Sequence, residues 1–144
     1  MSVVIVDDHL LGDVIGGTAP RDLAALLRHN DIATTNLYLY RLCRAALAGR
    51  GGALTGSWSV ERRQQATKTL TALSPDIQLM PMRDLAFRMA ELAHEFRLSA
   101  LGAEAIAATE AHGGRLCVWE GDDGPNVRAC CEALGVRYRT ILRE

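Results

Sequence analysis

The run Val3-Val4-Ile5-Val6-Asp7-Asp8-His9-Leu10-Leu11 decides the fold. Its first four residues are apolar and all β-branched, a run too short for a helix, and they read as a strand buried on both faces. Strands of that kind lie at the centre of parallel sheets. Two carboxylates follow at once, at the C-terminal end of the strand, where open α/β sheets form their ligand crevice. The rest of the chain must supply whatever else a site at Asp7 and Asp8 needs.

Working outward, Leu10, Leu11, Val14 and Ile15 recur at helical spacing until Gly16-Gly17 stops them. Pro20 opens a short helix that carries Leu23, Leu26 and Leu27 and ends near Asn30. Thr34 or Thr35 caps a helix over Asn36 to Ala48, which Gly49-Arg50-Gly51-Gly52 ends. Ser57 or Ser59 caps a polar, peripheral helix to about Leu73, with Glu61, Arg62, Arg63, Gln64, Gln65 and Lys68 facing water. Ile77 to Met80 reads as a short strand. Leu85, Met89, Leu92 and Phe96 then give the clearest amphipathic helix, over Arg83 to Arg97. Ser99 caps an alanine-rich helix to His112, which Gly113-Gly114 terminates. A strand over Arg115 to Trp119, an acidic turn, a helix stopped at Gly135 and a strand over Val136 to Leu142 complete the order. That order predicts one domain over 1–144, of class α/β: three layers, α/β/α, around a central, mainly parallel sheet with right-handed crossovers.

A net charge of -1 exerts no general pull toward nucleic acid, so any RNA contact has to be local. The four cysteines, Cys43, Cys117, Cys130 and Cys131, lack C-x-x-C spacing and fall mostly in apolar patterns, which fits buried reduced thiols and argues against structural zinc. No apolar run approaches a membrane span and no targeting segment is evident, so a soluble, cytoplasmic protein with no membrane partner is expected.

Two family resemblances compete for the opening strand. Val4-Ile5-Val6-Asp7-Asp8-His9 resembles the start of a response-regulator receiver domain, and Pro75-Asp76-Ile77-Gln78-Leu79-Met80 resembles its phosphoacceptor strand. Pro81 stands where the phosphoacceptor aspartate belongs, which leaves a receiver-like signalling domain as the weakest reading. The second resemblance covers nearly the whole chain. The opening Val6-Asp7-Asp8-His9-Leu10, the segment from Met80-Pro81-Met82 through Phe96-Arg97-Leu98-Ser99-Ala100-Leu101-Gly102-Ala103, and Leu116-Cys117-Val118-Trp119-Glu120-Gly121-Asp122-Asp123 together resemble a PIN domain, the fold of the VapC ribonuclease toxins.

That resemblance implies a Mg²⁺- or Mn²⁺-dependent ribonuclease with about four carboxylate ligands, the hard cation activating water and neutralising charge on the phosphate. It also implies a homodimer and an antitoxin-like partner. Asp7 stands at the first ligand position and Asp122 or Asp123 at the last. The second position, a Glu in the family, falls on Tyr40 or Arg41, and the third, the Asp of Ser-x-x-Asp-Ala, is Gly102. The pattern therefore predicts a degenerate centre in an RNA-related or regulatory binding protein, with no metal needed and the Arg41 guanidinium replacing the cation against Asp7 and Asp122. An active ribonuclease is the alternative. Asp8, Glu104 and Glu120 lie near the matched positions, but Glu104 is about 200° round a helix from Gly102 and should face elsewhere.

Simpler readings stand beside these. Asp7 and Asp8 could cap the following helix, and His9 reads as a local hydrogen-bonding residue. Arg62, Arg63 and Lys68 could touch RNA phosphates, although their interleaving with Glu61 and glutamines reads as a solvated face. Of the two tryptophans, only Trp119 lies near the crevice.

Overall fold

The computed structural model describes residues 2–48 and 54–143. Their five strands, β1 (Val3–Val6), β2 (Asp31–Thr34), β3 (Ile77–Leu79), β4 (Arg115–Trp119) and β5 (Arg137–Ile141), form an all-parallel sheet in the order β3-β2-β1-β4-β5. β1 is its central strand, as its β-branched run requires. Seven helices flank the sheet: α1 (Asp8–Ile15), α2 (Arg21–Leu27), α3 (Asn36–Ala48), α4 (Val60–Thr71), α5 (Met82–Phe96), α6 (Ala100–His112) and α7 (Pro125–Leu134).

The period-2 geometry of β1 sorts the layers. Ile5 packs with Leu85 and Leu92 of α5, Ile106 of α6 and Cys130 of α7. Val4 and Val6 pack on the other face with Leu10 and Leu11 of α1, Leu23 of α2, Leu42 of α3 and Ala66 of α4. The result is the expected three-layer α/β/α architecture. Helix α6, buried continuously from Gly102 to Thr109, is apolar nearly all round because it lies between the sheet and its neighbours. Gly114 is required for room: a Cβ there would sit 2.2 Å from the Val3 carbonyl oxygen.

β2 is an additional strand, found where the sequence suggested only a connection between helices. Its pairing with β1 is reinforced by Thr34, whose hydroxyl donates to the Val6 carbonyl at 2.9 Å. Thr35 accepts from the Tyr38 amide as the cap of α3, and Ser59 and Ser99 cap α4 and α6 as expected. The glycine stop expected at 49–52 lies outside the described residues. Helix α4 departs from its expected solvated face. Arg63 turns inward, donating to the carbonyls of Ala45 and Thr55, and Arg62 lies over the Trp58 ring.

The chain builds β1, β2 and β3 outward on one side and then crosses over to β4 and β5, so the order reverses between β1 and β4. The ligand crevice of such sheets lies outside the strand ends at that switch point. Receiver domains order their strands 2-1-3-4-5, which separates this fold from the signalling reading. Among the described residues no helix is long and apolar enough to cross a membrane.

Candidate acidic centre

Asp7 sits at the switch point, fully buried. It is the N-cap of α1: its extended backbone (φ -74°, ψ -179°) lets Oδ1 accept from the Leu10 amide at 2.8 Å. Oδ2 accepts from the Trp119 amide, also at 2.8 Å, so one carboxyl joins the β1–α1 turn to the end of β4. The capping reading of Asp7 is thus correct. Burial is the largest influence on its acidity and raises the carboxyl to about 7, against the lowering by the two amides; Asp8 raises it further and His9 lowers it.

Asp8, in the first turn of α1, is also fully buried. Its Oδ1 accepts from the His9 amide at 3.0 Å and lies 3.2 Å from His9 Nδ1. Its Oδ2 is 3.3 Å from Arg41 Nε, close enough to pair charge but without hydrogen-bond geometry, so this oxygen receives no donor. The sequence reading had set Arg41 against Asp7 and Asp122; the structure sets it against Asp8. The reason is the cap. Asp7 must turn both oxygens toward backbone amides, which leaves the next carboxylate in the turn to face α3. His9 is buried with Nε2 unpartnered, its ring 4.5 Å from that of Trp119.

β4 delivers the last member. Beyond Trp119 the chain enters a single 3-10 turn over Glu120–Asp122. Asp122 joins Asp7, Asp8 and His9 in a group whose ligand atoms all lie within 4.8 Å of one another. Partial burial first, and Asp8 second, raise its carboxyl above the ordinary range, while His9 and Arg41 lower it. Asp123 goes elsewhere: its carboxylate takes the Arg128 guanidinium at 2.7 Å and the Tyr138 hydroxyl, which hold it below the usual carboxylate range. Glu120 is exposed and outside the group.

The two unmatched ligand positions remain without carboxylates. Tyr40 is 60% exposed and points away. Besides Arg41, the residue of α3 close enough to feel the acids is Tyr38, at a position that the sequence pattern does not single out. It is buried, and its phenol is pushed well above its ordinary pKa by burial and then by Asp7, Asp8 and Asp122. The signal for it was helix phase, since Tyr38, Leu42 and Ala46 share the buried stripe. Gly102 abuts α7, where a Cβ would lie 3.0 Å from Val127 Cγ2. Glu104 is outside the group, as its angle predicted. Its carboxylate instead accepts from the Asn36 amide, the Asn36 side chain and the Leu37 amide, at the N-terminus of α3.

The Asp7, Asp8, His9 and Asp122 group could hold a divalent ion. Asp8 Oδ2 and His9 Nε2 are buried without partners, and each Asp7 oxygen retains a lone pair. The donor set is mixed rather than all-carboxylate, and imidazole nitrogen suits Mn²⁺ and later transition metals better than Mg²⁺. Any entering cation also meets the Arg41 guanidinium at Asp8.

No protein-family model matches the chain, and no curated protein does. Solved structures do resemble it. PAE2754 from Pyrobaculum aerophilum superposes with a TM-score of 0.56 at 15% identity, over 96% of this chain and 83% of that one. A chain of a toxin-antitoxin complex from Klebsiella pneumoniae superposes with a TM-score of 0.56 at 16% identity, over 85% of this chain and 93% of that one. At such identities the likeness is one of fold: this chain shares its α/β/α architecture with a component of a toxin-antitoxin complex and carries a metal-capable acidic group at the switch point.

Proposed function

We propose that this chain is a single PIN-like domain of the VapC type whose nuclease centre is degenerate, and that it acts as an RNA-related or regulatory binding protein. The observation that carries this reading is Arg41, whose Nε lies 3.3 Å from Asp8 Oδ2 and brings a fixed positive charge beside the acidic group. The fold shared with a toxin-antitoxin component supports the family, and the absence of carboxylates at Tyr40, Arg41 and Gly102 supports the loss of catalysis. On this reading Asp7 is retained as a cap, and Asp8 and Asp122 are retained for Arg41. The partners to seek are RNA, an antitoxin-like protein and a second copy of the chain, in the cytoplasm.

Titration with Mn²⁺, followed calorimetrically, alongside cleavage assays on single-stranded RNA, tests this. The degenerate reading expects no saturable Mn²⁺ binding below about 1 mM and no metal-dependent cleavage. Arg41→Ala is expected to raise Mn²⁺ affinity at least about tenfold, because a unit charge about 5 Å from an ion costs on the order of 1–2 kcal/mol at a half-exposed site.

The second reading is an active Mg²⁺- or Mn²⁺-dependent endoribonuclease, and the unpartnered Asp8 Oδ2 and His9 Nε2 beside Asp122 favour it. Asp7, Asp8, His9 and Asp122 would hold the ion, which would supply positive charge at a scissile phosphate. RNA cleavage by the wild type that disappears in Asp8→Asn and Asp122→Asn would establish this reading in place of the first.

A further inference from the structure

A second polar cavity lies beside Trp119, and none of its lining residues belongs to the acidic group. It has a volume of about 500 Å³ and is lined by Asp13, Thr18, Arg21, Arg62, Trp119 and Arg143, among others. Each lining group has a specific origin. Asp13 is the buried carboxylate of the last turns of α1, and it takes the Arg143 guanidinium in two hydrogen bonds, at 2.8 and 3.1 Å. Arg143, just beyond β5, also lies 5.1 Å from the Trp119 ring. Arg62 reaches in from α4, stacked 4.6 Å from the Trp58 ring and donating to the Thr18 hydroxyl at 3.3 Å. Its Nε is buried and has no acceptor. Arg21, in the first turn of α2, is exposed at the rim.

The charge balance is what singles the cavity out. Among the described residues, three guanidinium groups line the cavity with one carboxylate, and that carboxylate is already committed to Arg143. In a chain with net charge -1, two arginines that have no ion-pair partner among the described residues and share one concavity mark a local field for an anion. The buried Arg62 Nε is a donor left without an acceptor, which costs free energy unless a ligand supplies one. The space that the guanidinium occupies is left by a glycine. A Cβ at Gly16 would lie 3.0 Å from an Arg62 terminal nitrogen and 3.3 Å from Nε, although Gly16 has an ordinary φ of -84°. The same Cβ would lie 3.1 Å from the Gly12 carbonyl, so a side chain there would press on both Arg62 and the end of α1.

We infer that this cavity binds the phosphoryl oxygens of a nucleotide, free or within an RNA chain. Guanidinium groups match phosphate oxygens in charge and in forked geometry. Trp119 lines the cavity and its ring also lies 4.5 Å from that of His9, so one side chain touches both sites. The inference deepens the RNA-related reading but stands on residues that the acidic group does not use.

The test is calorimetric titration of the intact chain with inorganic phosphate, with a nucleoside 5′-monophosphate and with a short single-stranded RNA. Wild type is compared with Arg21→Ala, Arg62→Gln and the charge-matched control Arg83→Ala, a change on the exposed side of α5 in the opposite layer. Saturable binding is expected, weakened at least about tenfold by Arg21→Ala and by Arg62→Gln and unchanged by Arg83→Ala. Gly16→Ala, which displaces Arg62 while leaving every charge in place, should weaken binding as well. Binding of phosphate or mononucleotide identifies a free nucleotide as a sufficient ligand. Binding of RNA alone, with the same variant pattern, identifies a phosphodiester. RNA binding that neither arginine variant weakens, or weakening equal to that of Arg83→Ala, overturns the cavity while leaving the RNA-related reading intact. Cavity-dependent phosphate binding without RNA binding overturns that reading instead. No saturable binding of any probe up to about 10 mM overturns the inference itself.

Discussion

Glu104→Ala is expected to destabilise the fold by about 3–5 kcal/mol, measured by denaturant unfolding monitored through tryptophan fluorescence. Glu104 is fully buried in the most enclosed helix of the molecule. Its Oε1 accepts from the Leu37 amide at 2.8 Å, and its Oε2 accepts from the Asn36 amide at 3.1 Å and from Asn36 Nδ2 at 2.8 Å. The first amides of α3 have no partners within their own helix, and a carboxylate there also complements the positive end of the helix dipole. Asn36 Nδ2 donates further to the Met80 carbonyl at 2.8 Å, so the same cluster joins α6, α3 and the chain after β3. Truncation removes three acceptor contacts at once and leaves a cavity among alanines that cannot collapse into it.

Glu104→Gln separates the two contributions. The glutamine Oε1 can still accept, but its Nε2 must face a backbone amide or Asn36 Nδ2, donor against donor, and the charge at the helix end is lost. A loss of about 1–3 kcal/mol is expected, between wild type and alanine. A Glu104→Gln variant as unstable as Glu104→Ala would show that donor opposition outweighs the cavity. One as stable as wild type would sink the capping account. Neither change should alter the Asp7, Asp8, His9 and Asp122 group directly, because Glu104 is not among its members.

Glu104 also marks where the sequence stops being informative. A helix wheel places it away from Gly102, which is correct, but no pattern within α6 reveals that the α3 N-terminus is packed opposite. β2 was illegible for a related reason. Asp31-Ile32-Ala33-Thr34 contains a single apolar β-branched residue, and its extended form is imposed by pairing with β1 and β3 and by the Thr34 bond to Val6. The elements that were legible carry their own local signal: the β-branched run of β1, the periodic leucines of α5, the caps at Ser59 and Ser99, and the αL glycines Gly113 and Gly135.

The acidic group divides the same way. Asp7 was readable from the end of the first strand, whereas the turn after Trp119 offered Asp122 or Asp123 and the sequence did not say which of the two lies beside Asp7. The partner of Arg41 was not readable either, because Asp7 and Asp8 are adjacent and only the cap geometry decides which one faces α3. Tyr38 shares a helical stripe with Leu42 and Ala46, but α3 carries apolar residues on more than one stripe, so the pattern shows that Tyr38 can be buried and not that it lies near the acids. Arg62 and Arg63 read as solvated because glutamate and glutamine surround them, yet the nearby Trp58 ring and Thr55 carbonyl, with the Ala45 carbonyl of α3, draw both inward.

The stability of the chain is expected to fall as pH rises from about 5 to about 8.5, with Asp7 as the main source. The folded state raises this carboxyl from its ordinary 3.8 to about 7 through burial, so between those values the folded protein binds more protons than the unfolded one. Unfolding free energy then decreases with pH: the contribution is fully present below about 4 and is lost as pH rises through about 7. The interval corresponds to on the order of 4 kcal/mol at full effect. Asp122, also raised, acts in the same direction. Asp123, lowered by Arg128, acts in the opposite one from the surface, where solvent screens it. Denaturant unfolding of wild type at about pH 5, 7 and 8.5 should show a loss of at least about 2 kcal/mol across the range. Asp7→Asn removes the titrating group but turns one amide nitrogen toward a backbone N–H, at a cost of about 1–3 kcal/mol. The variant should therefore be less stable than wild type at the acid end, nearly independent of pH, and equal or superior at the alkaline end. Wild-type stability that is flat or rising over this range would refute the assignment. The crossing also bears on function, because an Asp7 that holds its proton near neutrality is a cap before it is a ligand. Deprotonating it for a cation would draw on the stability of the β1–α1 turn that the same carboxyl holds together.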